Sequence, residues 1–107
     1  MDWTVEVTAD AGEELADRPT ELQAPLTRIV ARIEAVGLER VGEPLVKDLE
    51  DKLWEMRPSG RKIEGRALYV TASGRRVVIV LAFQKRTQKT PRRMIELALK
   101  RARDIVP

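Results

Sequence analysis

Seven cations in the second half of this chain could together hold a phosphate chain: Arg57, Arg61, Lys62, Arg66, Lys85, Arg86 and Lys89. Only Glu64 supplies a carboxylate between Arg57 and Lys89. Arginine suits such a task because its planar fork stays charged and matches two phosphate oxygens at once. An RNA substrate brings its own nucleophile, the 2′-hydroxyl. A protein that cuts RNA this way must take that proton, stabilise a dianionic phosphorane and protonate the leaving oxygen. Arg66 is a candidate for the second task. A lysine crowded by cations loses basicity and becomes a candidate acid or base, which nominates Lys85 and Lys89. Glu55 and Tyr69 are further candidates for proton transfer. On chemistry alone, any basic RNA-binding surface would read similarly, and single Lys or Arg residues at strand ends are ordinarily just solvated.

The composition narrows the chemistry. The chain has 107 residues, with no cysteine and no histidine. Disulfides, thiolate metal sites and an imidazole base are excluded, and no metal or cofactor is expected. The length suits one domain over residues 1–107. Met1–Val7 has neither the basic head nor the apolar run of an export signal, and no apolar stretch approaches membrane-spanning length, so a cytoplasmic protein without a membrane partner is expected. Residues 1–56 carry 6 Lys/Arg against 14 Asp/Glu, and residues 57–107 carry 14 against 3. This segregation points to an anionic partner for the second half. Mutual attraction of the two halves is the plainer reading. Both apply, since the basic excess of 11 outweighs the acidic excess of 8.

The elements that must position these residues follow from periodicity. Trp3, Val5 and Val7 alternate with polar residues, as in a half-buried strand. Asp10 and Glu13 resemble a capping box opening a short helix to about Asp17, which Arg18-Pro19 ends. Thr20 is a candidate cap for a second helix. Leu22, Leu26, Ile29, Val30, Ile33 and Val36 give it an apolar stripe, Pro25 kinks it or makes it start late, and Gly37 stops it. Strands are expected at 53–57, 66–72 and 77–83, the last as the central strand flanked by the other two and buried on both faces. Thr90-Pro91 reads as N-cap and first residue of a closing helix whose polar side carries Arg92, Lys100 and Arg103. The expectation is an α+β domain: strand, two helices, a three-stranded antiparallel meander and a C-terminal helix.

A meander has a geometric consequence. The end of its first strand, the start of its second and the end of its third share one edge. Arg57, Arg66 and Lys85-Arg86 occupy those three places, with Lys89 just beyond and Arg61 and Lys62 on the connecting loop. Trp54 is read as core because it shares a strand face with Met56, although stacking on a base is possible in principle.

The same residues carry a family pattern. Leu49-Glu50-Asp51-Lys52-Leu53-Trp54-Glu55-Met56-Arg57, Arg66-Ala67-Leu68-Tyr69 and Phe83-Gln84-Lys85-Arg86-Thr87-Gln88-Lys89-Thr90-Pro91 closely resemble three blocks of the phage-derived branch of the RelE/HigB toxins, and Ile95-Glu96-Leu97-Ala98 extends the match. The resemblance covers residues 45–105 well, and residues 1–44 only in layout. It implies a RelE-like fold and ribosome-dependent cleavage of mRNA by a metal-independent endoribonuclease. It also implies a cognate antitoxin, often of helix-turn-helix type, with operator DNA bound only through that antitoxin. By motif position, Arg66 matches the arginine that stabilises the transition state, and Arg57, Lys85 and Lys89 match phosphate-binding cations. Glu55 stands where related toxins often place a catalytic lysine, which leaves the general base open, and Arg86 replaces a lysine with charge kept. Arg61, Lys62, Arg92 and Arg93 complete the expected RNA-binding set. Two other functions fit the fold: a non-catalytic nucleic-acid-binding or co-repressor module, and a ParE-like gyrase poison. The cations favour RNA over gyrase, because a gyrase poison needs no phosphate cleft.

Overall fold

The computed structural model describes residues 2–86 and 89–105. Its elements are β1 (Thr4–Val7), α1 (Ala9–Ala16), α2 (Gln23–Val36), β2 (Val46–Glu50), β3 (Leu53–Met56), β4 (Ser59–Gly60), β5 (Ile63–Ala72), β6 (Arg76–Lys85) and α3 (Arg92–Ala102). The sheet order is β1-β6-β5-β3-β2, with β4 paired to β5. Neighbours are antiparallel except β1, which runs parallel to β6. The α+β reading holds, but the sheet is mixed, not purely antiparallel.

Two features depart from the expected meander. The strand at 77–83 is buried on both faces as expected, yet its neighbours are β1 and β5. The 66–72 strand, part of β5, flanks it on one side as expected, but β1 and not the 53–57 strand lies on the other, and β5 sits between β3 and β6. A hairpin-linked meander requires this, because each turn is too short to skip a neighbour. The second departure is β2, absent from the expectation. Its sequence, Val46-Lys47-Asp48-Leu49-Glu50, is charged and weakly alternating. Its turn also hides itself: Asp51 and Lys52 both adopt positive φ, 49° and 67°. That is two-residue hairpin geometry without the glycine that usually announces it.

The helix starts also differ from expectation. Thr8, not Asp10, caps α1, its hydroxyl accepting from the Ala11 amide at 3.2 Å. Thr20 caps nothing with its side chain, and residues 20–22 form a 3₁₀ turn before α2 begins at Gln23. Pro25 then falls in the first turn of α2, where a missing N–H costs nothing. Gly37 ends α2 at φ 92°, a value that disfavours other residues.

Two apolar layers sandwich the sheet. On one face Leu26, Ile29 and Ile33 of α2 meet Met56, Ala67, Tyr69, Val77 and Ile79. On the other, Ala98 with Met94, Ile95 and Leu99 of α3 meets Leu53, Leu68, Val78, Val80, Leu81 and Phe83. The face assignment in β6 changes partway. Leu68 pairs with Leu81 but Tyr69 pairs with Ile79, so Val80 is the extra residue of a β-bulge. A bulge shifts the alternation by one. Phe83 therefore faces α3, although Val77 and Ile79 face α2.

Beyond Ile79, β6 has outrun β1, and side chains complete its open backbone. Arg101 donates to the Val80 carbonyl at 2.8 Å and, through both terminal nitrogens, to Glu14 at 3.0 Å. Glu14 in turn accepts from the Ala82 amide at 3.0 Å. Glu14→Ala removes partners from a backbone amide and an arginine together, so a loss of about 2 kcal/mol is expected. Glu13→Ala, one residue away and exposed, should stay within about 0.5 kcal/mol. Urea unfolding of both variants checks this; equal midpoints would remove the bridge from the account.

Candidate nucleic-acid interface

The end of β3, the start of β5 and the end of β6 do meet. Met56 lies opposite Ala67, Arg66 opposite Phe83 and Glu64 opposite Lys85. Glu55, Arg66 and Glu64 share the face covered by α3, because they alternate in step with Leu53 and Leu68. The bulge at Val80 brings Lys85 to that face as well. Without the extra residue, Phe83 and Lys85 would point to the α2 side.

At the centre, two charged residues are almost fully buried: Glu55 is 3% exposed and Arg66 2%. Arg66 Nε lies 3.3 Å from Glu55 Oε2, an ion pair without hydrogen-bond alignment. One terminal nitrogen of Arg66 donates to the Gly65 carbonyl at 2.6 Å, and the other lies 3.8 Å from Glu64. Arg57 approaches the same Glu55 oxygen at 3.7 Å and stays partly exposed. Burial pulls the Arg66 guanidinium below the usual arginine range; Glu55 opposes that, Arg57 adds to it and Glu64 opposes it.

Thr90 completes the cluster, its hydroxyl donating to Glu55 Oε1 at 2.6 Å. The sequence reading made Thr90 the N-cap of α3. Instead the helix starts at Arg92 without a side-chain cap, and the hydroxyl serves a buried carboxylate. Donating to a charged acceptor in a low-dielectric site makes a stronger bond than accepting from a solvated backbone amide would. The sequence held one clue: Thr90 and Glu55 both sit in the blocks that carry the family resemblance, 35 residues apart.

The remaining nominated residues divide. Lys62 and Lys85 line one shallow cleft of about 340 Å³ with Glu64. Arg61, Arg86, Lys89 and Arg93 are exposed around it or along the path to α3. Arg92 is drawn away, clasping Glu50 of β2 with both terminal nitrogens, one at 3.0 Å, and lying 3.6 Å from Glu96. Tyr69 is on the opposite face of the sheet, fully buried, its hydroxyl without a partner among the described residues and its acidity suppressed by burial. It does not join the Glu55–Arg66 cluster. Odd and even residues of β5 diverge, so Arg66 and Tyr69 cannot share a face across one regular strand. Trp54 is not core either: it is 36% exposed beside Tyr69.

The arrangement is therefore a buried acid–base pair with a cationic rim. Such a pair is costly to break and of uncertain net worth intact. Arg66→Met should destabilise by roughly 3 kcal/mol, because Glu55 then stays buried with less compensation. Adding Glu55→Leu should recover much of that loss. A double-mutant cycle by chemical denaturation reads the coupling directly, and additive losses would show that the two groups do not hold each other.

The profile of the family described as "Phage derived protein Gp49-like (DUF891)" matches residues 13–103. No curated protein matches the chain. Among solved structures, the toxin–antitoxin complex RelBE2 of Mycobacterium tuberculosis contains a similar chain: TM-score 0.57, 20% identity, over 79% of this chain and 100% of that one. At that identity the likeness is one of fold, and it is RelE-like.

Proposed function

The chain belongs to the phage-derived Gp49-like family, and from that premise we propose that it is the toxin of a toxin–antitoxin pair and cuts mRNA on the ribosome without a metal ion. The observation that carries this reading is the buried Glu55–Arg66 pair, held by Thr90 and rimmed by Arg57 and Lys85. A nuclease lacking histidine needs a rigid cation for the phosphorane and a fixed group for the proton, and the pair contains both.

The contacts support a sequence of steps. The Arg66–Glu64 contact is long, at 3.8 Å, and Glu64 is 57% exposed. A scissile phosphate displaces that carboxylate and takes the outer nitrogen of the fork. Glu55 keeps the inner edge of the guanidinium oriented and is the proton acceptor for the 2′-hydroxyl. Arg57, Lys62 and Lys85 hold flanking phosphates, and Lys89 is a candidate to protonate the leaving 5′-oxygen. The fold likeness to a chain from a toxin–antitoxin complex supports a cognate antitoxin, with operator DNA reached only through it. Acidic residues of that partner would suit the cationic rim.

One observation favours a different reading. Arg66 is so enclosed that it could serve only to neutralise Glu55 in a non-catalytic RNA-binding module. Arg66→Lys separates the two, because it keeps the charge beside Glu55 but loses the fork. The expected outcome is a fall in cleavage of translated mRNA of about a hundred- to a thousand-fold, or roughly 3–4 kcal/mol, with the thermal midpoint largely kept. Primer extension against the wild type measures it. Lys85→Ala and Lys89→Ala should lose less, since other cations remain. Near wild-type cutting by Arg66→Lys would sink the catalytic role of Arg66.

A further inference from the structure

The sheet face turned away from Glu55 holds a second concave site that the nuclease reading does not use. It is a cleft of about 540 Å³ lined by Trp3, Leu38, Val41, Val46, Trp54 and Tyr69, with Glu39, Glu43, Asp48 and Lys47 at its rim. The chain has only two Trp, one Tyr and one Phe, so both tryptophans and the sole tyrosine are spent on this cleft. Trp54 is 36% exposed, a large apolar surface left partly open to water. Trp3 is steadied by donating its indole N–H to Glu39 at 2.9 Å. Tyr69, fully buried within the lining, carries a hydroxyl with no partner among the described residues.

Charge and size select the occupant. Glu39 already accepts from Trp3 and has Arg75 and Arg40 nearby, so the acidic character of this rim rests on Glu43 and Asp48 against Lys47, on a chain whose net charge is +3. Aromatic walls with an acidic rim suit a cation, and a planar guanidinium stacks on indole better than an ammonium does. The volume exceeds what one guanidinium fills and lies in the range of roughly 300–1,000 Å³ usual for ligand sites. Leu38, Val41 and Val46 offer the surplus space an apolar wall. We propose that this cleft receives an arginine side chain of a partner polypeptide together with an apolar residue next to it. Because it lies on the opposite face of the sheet, the site does not depend on whether Arg66 is catalytic.

Both tryptophans line the cleft, so intrinsic fluorescence reports its occupancy directly. The test titrates acetyl-Val-Arg-Val-amide into the full chain, beside the citrulline analogue of the same peptide and acetyl-arginine methylamide. The arginine peptide should give a saturable change. The citrulline peptide should bind at least about tenfold more weakly, as loss of a desolvated cation–π contact implies; the single amino acid keeps the guanidinium but loses the flanking valines, and should also bind at least about tenfold more weakly. Trp54→Ala, read through Trp3, should weaken the arginine peptide by a similar factor. Glu43→Gln with Asp48→Asn should weaken it less, and Glu13→Ala should leave it unchanged. The proposal is overturned by equal binding of the citrulline peptide, by the single amino acid matching the peptide, by indifference to Trp54→Ala in a folded variant, or by no saturable change. Arg66→Lys carried through the same titration keeps the two sites distinguishable: full peptide binding by that variant leaves this inference standing even where the nuclease reading fails.

Discussion

The bulge at Val80 is the constraint on which the rest of the molecule depends. It exchanges the two faces of β6 midway along the strand, and only that exchange lets Phe83 and Lys85 join Arg66 on the α3 side. An unpaired backbone carbonyl and amide are costly to leave in a low-dielectric setting. Glu14 and Arg101 meet that cost, and in doing so they join α1 to α3 around the end of the sheet. One irregular residue thus determines the composition of the cationic edge and the attachment of two helices.

The charge segregation of the sequence is partly consumed within the fold. Glu6 pairs with Arg76, Glu14 with Arg101, Glu50 with Arg92, and Glu55 with Arg57 and Arg66. Each joins the acidic half to the basic half. Exposed pairs such as Glu6–Arg76 contribute little to stability, because water competes for both ends. The Glu55–Arg66 pair differs in kind: it is almost fully buried, and its geometry is held by Thr90, the Gly65 carbonyl and Arg57. Lys62 and Lys85 come together at a separate cleft with Glu64. Conversely, carboxylates collect at the aromatic cleft on the far face. A sheet with opposite chemistry on its two faces can engage two partners without their competing for the same residues.

Much of this was legible in the sequence, for a physical reason in each case. The apolar run at 77–83 could only be an interior strand, because no other element buries seven successive residues on both sides. Gly37 had to end α2, and Arg57, Arg66 and Lys85 had to converge, because antiparallel strands joined by short turns leave no other register of ends. The absence of histidine and cysteine limited the chemistry before any coordinates. Tertiary structure alone decided the rest. The extra residue in β6 leaves no compositional mark, since Val80 resembles its neighbours. The turn at Asp51-Lys52 adopts positive φ without glycine, so β2 stayed hidden. Thr90 could turn its hydroxyl to either of two uses, accepting from the amides of a helix start or donating to a carboxylate 35 residues away, and the packed structure has it donate to the buried Glu55. Tyr69 left the candidate site because strand alternation puts it on the face opposite Arg66; Trp54 shares a face with buried Met56 as expected, but borders an open cleft there and stays 36% exposed. Local propensity specifies elements, but the face each residue presents depends on a register that only the packed sheet fixes.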